Sequence, residues 1–177
     1  MLGAQYVEYI HDELLEVFWP SSEKVATKGV RDRTLLESAV GRPFQSAFRQ
    51  DNYPTTIEKG VALFHSLVSN HAFFDGNKRT AVTALDHFLL ANGFVLGVPN
   101  TDMYALATRT ASYRAENLSH ECSLKEIRNT IEYLVAPIST FRSEVEGVSS
   151  LGGSFQASMR LRRWIRRHRF NRLIELS

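Results

Sequence analysis

Apolar residues return every three or four positions in three long segments of the chain, which is the period of an amphipathic α-helix. These segments are residues 6–18, 56–70 and 76–91. Thr55 or Thr56 is a predicted N-cap for the second segment, and Asn92-Gly93 after the third is typical of a helix C-terminus. The pattern predicts a mainly α-helical chain with the second and third helices as its central pair.

Further helices are predicted from their end signals. Asp32 is a predicted N-cap for a short helix that stops at Gly41-Arg42-Pro43. Thr101-Asp102 opens another helix that runs to about residue 110. Ser123-x-x-Glu126 forms a capping-box pattern for a last helix, preceded by a short segment at 94–99. The residues predicted to face inward from that last helix are Leu124, Ile127, Ile131 and Leu134.

Residues 43–56 lack helical periodicity, contain aromatic residues and are interrupted by Asp51-Asn52 and Pro54. These features favour a flap or hairpin, and an ordinary connecting loop is an equal alternative.

The segment HAFFDGNKRTAVT, residues 71–83, concentrates chemically active side chains at the predicted start of the third helix. The first N–H groups of a helix have no internal acceptor and carry the positive end of its dipole, so they favour an anion. Gly76 lets the backbone approach a phosphate without a Cβ between them, and Lys78 and Arg79 add cationic donors. The segment therefore predicts a phosphate-binding helix N-terminus.

The remaining polar residues of this segment complete a candidate catalytic site. Asn77 can both cap the helix and bind the ligand. Asp75 can bind a Mg²⁺ ion whose other ligands are phosphate oxygens and water, and His71 can act as a general base for a hydroxyl nucleophile. Taken singly, such residues are more often caps, turns or solvated charges, whereas their conjunction favours chemistry. Phe73 is predicted to anchor the loop on the core. By contrast, the pair His11-Asp12 is weak evidence for a metal site, and a surface or capping role is favoured there.

These residues carry a resemblance to a known family. His71-x-Phe73-x-Asp75-Gly76-Asn77-Lys78-Arg79-Thr80-Ala81 resembles the signature of the Fic/Doc (Fido) family, and its ending resembles the death-on-curing (Doc) branch. Weaker similarity at 10–15, 29–32, 35–43 and 123–134 extends over roughly the first three quarters of the chain. The resemblance implies a Fido-type helical bundle with a short β-hairpin flap over the active site, where a target segment is added as a strand.

The resemblance also implies an enzyme that uses ATP or another nucleoside triphosphate with Mg²⁺ to modify a Ser, Thr or Tyr hydroxyl of a protein. His71, Lys78 and Arg79 are the expected catalytic residues, and Asp75 is the expected metal ligand. Gly76 and Asn77, together with Lys78 and Arg79, are expected to bind the nucleotide.

The type of transferred group depends on two positions. Fic-type members usually transfer AMP and have a second glycine where this chain has Lys78, and a second arginine where it has Val82. The Doc branch resembles a protein kinase that modifies translation elongation factor Tu as the toxin of a toxin–antitoxin pair. We therefore favour phosphoryl transfer over AMP transfer. A catalytically silent Fido scaffold and a nucleic-acid-binding module led by the C-terminal tail are the non-enzymatic alternatives.

Control of the activity is expected to come from a separate antitoxin. The resemblance also implies a form of autoinhibition in which Fic proteins use a helix with a Ser or Thr four residues before Glu-Gly or Glu-Asn, whereas here Arg142 stands four residues before Glu146-Gly147. The arginine that such a glutamate pairs with is also replaced, by Val82.

Composition limits the remaining function classes. With 44% apolar and 11% aromatic residues the chain can bury a sizeable core, and no apolar run approaches the ~18 residues of a membrane span. No signal peptide is recognisable, so a cytoplasmic protein is expected. The single cysteine, Cys122, excludes an intramolecular disulfide and is predicted to be a small core filler.

Three regions are predicted: a Fido domain at 1–137, a Ser/Gly-rich linker at 138–153 and a basic, helical tail at 154–177. From residue 151 onward seven arginines stand against one acidic residue, Glu175. The tail is expected to pack on an acidic domain of its own or a partner subunit, with binding of RNA or another polyanion and adsorption to a membrane surface as alternatives.

Overall fold

The computed structural model describes residues 2–18, 29–96, 100–113 and 115–137. Its helices are α1 (Ala4–Phe18), α2 (Arg33–Gly41), α3 (Thr56–Asn70), α4 (Asn77–Ala91), α5 (Asn100–Ser112) and α6 (His120–Leu134). A 3₁₀ turn, Arg42–Phe44, follows α2. The strands are β1 (Ser46–Ala47), β2 (Gln50–Asp51), β3 (Phe94–Leu96) and β4 (Val135–Pro137). The prediction of a mainly helical fold with a short hairpin is confirmed.

Helices α3 and α4 form the centre of the fold, as the periodicity predicts. They contact each other more extensively than any other pair of elements, and α1 packs on α4 while α2 and α6 pack on α3. Gly60 permits this close approach, since a Cβ there would lie only 3.2 Å from Cδ1 of Leu85. Every residue of α4 from Thr80 to Leu89 is buried, so this helix is firmly packed from its second turn onward.

Two predicted caps are confirmed. Asp32 accepts a hydrogen bond from the N–H of Leu35 at the start of α2. Thr55 caps α3 in a full capping box, because its hydroxyl accepts from the N–H of Glu58 while the Glu58 carboxylate accepts from the N–H of Thr55. These bonds satisfy N–H groups that no helical carbonyl can reach.

The predicted start of the last helix is wrong by one turn. Helix α6 begins at His120, and Ser119 rather than Ser123 is its N-cap, with the Ser119 hydroxyl accepting from the N–H of Cys122. Ser119 presents the same hydroxyl one turn earlier, and Ser123 is buried inside the helix. Ile127 and Ile131 are fully buried as predicted, whereas Cys122 is exposed and does not fill the core.

Both sheets are antiparallel and two-stranded. In the hairpin, Ser46 pairs with Asp51 and the two turn residues Phe48 and Arg49 both have positive φ values, 51° and 64°. This is the backbone of a primed two-residue turn, which matches the twist of the strands. The segment at 94–99 contributes β3, which pairs with β4 after α6 in a register that joins Val95 to Ala136.

The predicted linker, the basic tail and residues 142–147 lie outside the described residues. Within the described ranges, none of the helices has the combination of length and hydrophobicity that a membrane crossing requires.

Candidate active site

The loop between α3 and α4 and the first turn of α4 carry the site residues that the sequence predicts. His71 ends α3 in the left-handed conformation with φ 49°, and its side chain is exposed. Gly76 is the N-cap of α4, also left-handed, with φ 75°. The loop is short and joins two helices, so the positions of His71 and Asp75 are restricted. The two residues lie on either side of the buried pair Ala72 and Phe73.

Phe73 anchors the loop, as predicted. Its side chain is 2% exposed, and its backbone forms an antiparallel bridge with Val30. The N–H of Phe74 donates to the carbonyl of Gly29, and the N–H of Arg31 donates to the carbonyl of Ala72 at 2.8 Å. The chain segment that enters α2 therefore holds the loop from one side.

Asn77 holds the same loop from the helix. Its side-chain Oδ1 accepts from the N–H of Phe73 at 2.9 Å, and its Nδ2 donates to the carbonyl of Phe73 at 2.8 Å. The Asn77 side chain thus forms both of these hydrogen bonds with the backbone of one loop residue, and it stabilises the conformation of the loop. The sequence had suggested that Asn77 caps the helix or contacts a ligand.

The start of α4 provides backbone donors. The first helical bond runs from the N–H of Thr80 to the carbonyl of Gly76 at 2.9 Å, so the N–H groups of Asn77 and Lys78 precede the helical ladder. The N–H of Gly76 donates instead to Oδ1 of Asp75 at 2.6 Å. The N–H groups of Asn77 and Lys78 lie at the positive end of the helix dipole, an arrangement that can bind an anion.

The charged side chains around this helix end remain accessible to a ligand. Asp75 is exposed, and Lys78 is half-buried with its Nζ 5.7 Å from the centre of the Tyr104 ring. Arg79 is also half-buried, one residue further into the helix. Tyr104, which comes from α5, is a contact that the sequence pattern did not indicate.

The donor set around Asp75 fits Mg²⁺. Across the parts of the chain that the structure describes, no three His, Cys, Asp or Glu side chains cluster as a metal cage. Magnesium needs no such cage, because it takes one or two carboxylates and completes its octahedron with phosphate oxygens and water. Asp75 offers one exposed carboxylate, of which Oδ1 is engaged by the N–H of Gly76.

His11 is a buried neighbour of this loop, and the sequence pattern did not assign it to the site. The expected surface or capping role is wrong, because the side chain is only 1% exposed. Its ring stacks on the ring of Phe73, with 4.2 Å between the ring centres and an angle of 9° between the ring planes. Its Nε2 lies 3.2 Å from the carbonyl oxygen of Asp75. A signal was present in the sequence: His11 lies four residues after Val7 and three before Leu14, on the buried stripe of α1.

Comparison with known proteins supports the family resemblance that the motif at 71–81 indicates. Residues 2–89 match the family described as the Fic/DOC family. A curated relative, the toxin Doc of Mycolicibacterium smegmatis, is 49% identical over 67 residues, which are 38% of this chain and 52% of that protein. The chain therefore matches about half the length of that relative.

Proposed function

Since the chain belongs to the Fic/DOC family through residues 2–89, we propose that it is a Doc-like toxin that transfers the γ-phosphoryl group of ATP to a hydroxyl of a protein. The observation that carries the proposal is the loop between α3 and α4. Together with the start of α4, it combines an exposed imidazole, an exposed carboxylate and the N–H groups of Asn77 and Lys78, which precede the helical ladder, and Phe73 anchors it in the core. Phosphoryl transfer needs mainly positioning and charge stabilisation, which these groups supply.

In the proposed reaction His71 is the general base. Its imidazole takes the proton of a Ser, Thr or Tyr hydroxyl as that oxygen forms its bond to the γ-phosphorus. The bond between the γ-phosphorus and the oxygen bridging to the β-phosphate breaks, and ADP leaves. The exposed position of His71 at the end of α3 leaves it accessible to a protein substrate.

The proposed phosphate contacts come from α4. The N–H groups at its start, together with Lys78 and Arg79, would bind the phosphate oxygens and stabilise the negative charge of the transition state. Asp75 would hold Mg²⁺, which neutralises charge on the β- and γ-phosphates when it is bound. The Lys78 ammonium near the Tyr104 ring keeps a cation at the position where AMP-transferring relatives have glycine.

The hairpin is the proposed docking element for the protein target. The residues of both its strands are exposed, and the Phe48 side chain at the turn is fully exposed in a left-handed conformation that non-glycine residues seldom adopt. A target segment could add to the hairpin as a strand, with Phe48 as a hydrophobic contact. Translation elongation factor Tu is the proposed target, in the cytoplasm, and a cognate antitoxin is the proposed regulator.

Fic-type AMP transfer is the second candidate. It is favoured by Gly76, whose left-handed backbone lets a phosphate approach the helix end closely. Incubation of the protein with a cell lysate, or with purified elongation factor Tu, and ATP labelled separately at the α and γ positions distinguishes the two. Transfer of γ-label alone supports the kinase; transfer of α-label supports AMP transfer; and transfer of neither, with ATP still bound, supports a silent scaffold.

His71→Ala tests the proposed base. We expect the rate of transfer to fall by roughly 10²–10⁴-fold while circular dichroism and nucleotide binding stay as in the unmodified protein, because an exposed side chain is removed. If the protein is a toxin, its expression alone should arrest growth and the substitution should relieve the arrest. Undiminished transfer by this variant would refute the role of His71, and persistent arrest would point to the tail.

Asp75→Ala tests the proposed metal ligand. We expect loss of the part of ATP affinity that depends on Mg²⁺, measured by calorimetry with and without the metal. Asp102→Ala is the matched control, since Asp102 is an exposed carboxylate in the first turn of α5. Wild-type protein that binds ATP equally well with and without Mg²⁺ would contradict the assignment.

A further inference from the structure

We propose that His11 is a positioning residue of this site: from helix α1 it holds the peptide bond between Asp75 and Gly76, and thereby sets the direction of the Asp75 carboxylate. The inference rests on the proposed function, because it assigns a role at the same nucleotide and metal site. It concerns a residue that lies 64 positions before the loop it contacts.

The contact is to one peptide unit. A carbonyl oxygen can only accept, so Nε2 of His11 donates to the carbonyl of Asp75 at 3.2 Å. The other side of that same peptide is the N–H of Gly76, which donates to Oδ1 of Asp75 at 2.6 Å. Rotation of this peptide would therefore break both bonds, and the carboxylate would lose the N–H that orients it.

The surroundings of the ring restrict it to this position. One face lies on Phe73 in a near-parallel stack. A Cβ on Gly76 would lie 3.5 Å from the imidazole Cδ2, so the ring borders the side of this glycine on which a side chain would stand. Phenylalanine could fill this space and make the stack, whereas only a side chain with an N–H at the Nε2 position can hold the Asp75 carbonyl.

Partners that orient a metal ligand typically change metal affinity or activity by ~10–100-fold when they are removed. His11→Phe keeps the ring and removes the donor, whereas His11→Gln loses the ring and keeps an amide nitrogen at a similar reach. In His11→Asn the amide nitrogen lies near the position of Nδ1, so the side chain is too short to reach the Asp75 carbonyl. If the phenylalanine variant does not fold, His11→Asn serves as the variant that lacks the donor. His87→Phe is the matched control, because His87 is also buried and loses a bond, to the hydroxyl of Tyr6.

Two measurements on the full chain test the proposal. The first is the Mg²⁺ concentration that gives half of the metal-dependent ATP binding. The second is the exchange rate of the Gly76 amide proton in nucleotide-free protein, followed by NMR. We expect His11→Phe and His11→Asn to raise the Mg²⁺ requirement by about tenfold to a hundredfold and to accelerate exchange at Gly76, with His11→Gln recovering most of both and His87→Phe changing neither.

Three results would overturn the proposal: unchanged Gly76 exchange in His11→Phe and His11→Asn, equal effects of His11→Phe and His87→Phe, or a glutamine variant no better than the asparagine variant. If wild-type ATP binding proves independent of Mg²⁺, the proposed function fails. The exchange of the Gly76 amide still decides whether His11 holds this peptide, so the two failures are distinguishable.

Discussion

Removal of the Asn77 amide should loosen the loop that carries the candidate site. Asn77→Ala loses two hydrogen bonds, at 2.9 and 2.8 Å, to the backbone of Phe73. A typical bond contributes a net ~1 kcal/mol, so we expect a loss of about 2 kcal/mol in the free energy of unfolding. For a chain of this size that corresponds to a fall of roughly 4–8 °C in Tm.

The assay is urea unfolding, read as a shift of the midpoint at constant m-value. Asn92→Ala is the matched control: its side chain makes one bond, from Nδ2 to the carbonyl of Phe88 at 2.7 Å, so we expect about half the loss. Asn77→Asp keeps the acceptor for the N–H of Phe73 and should retain part of the stability. It should nevertheless weaken ATP binding strongly, because it adds a negative charge to the anion site. Asn77→Ala protein that is no less stable than the Asn92→Ala control would refute this account of the loop.

Two further predictions concern the cap of α3 and the choice of transferred group. The Glu58 pKa is lowered, first by the hydrogen bond from the N–H of Thr55 and then by the Thr55 hydroxyl and Arg128. The wild-type protein should therefore be more stable than Glu58→Gln above the usual glutamate pKa near 4.5, and this difference should vanish as the pH falls through the lowered pKa of Glu58. If acid unfolding curves show that both proteins lose the same stability over this range, the assignment is contradicted. Lys78→Gly should weaken γ-phosphoryl transfer, since it removes a cation and costs ~1 kcal/mol of helix propensity, and weak AMP transfer should appear. Mass spectrometry of the target checks this, and an AMP adduct made by the unmodified enzyme would refute the kinase assignment.

Local rules were sufficient where the partners of an interaction lie within one turn of chain. Asp32 and Thr55 cap helices through bonds to residues three positions away, so their roles could be predicted without knowledge of the fold. The helix that follows Gly76 was predictable for the same reason, because a glycine at the helix start and the apolar periodicity after it are both local signals. Local rules failed at Ser119 and Ser123, where two serines one turn apart offer the same cap.

The sequence by itself thus determined the helical character of the chain and the concentration of chemically active residues at 71–79. The helices follow from short-range apolar periodicity, and the cluster follows from the spacing of its residues along the chain. Only the tertiary structure decided which distant segments meet. The pairing of β3 with β4 depends on how α5 and α6, which separate the two strands along the chain, pack on the core. The contact of His11 with the Asp75 carbonyl depends on how α1 lies on α4. The physical reason is that burial selects a face of each helix, while the partner of that face is selected by the packing of the whole core.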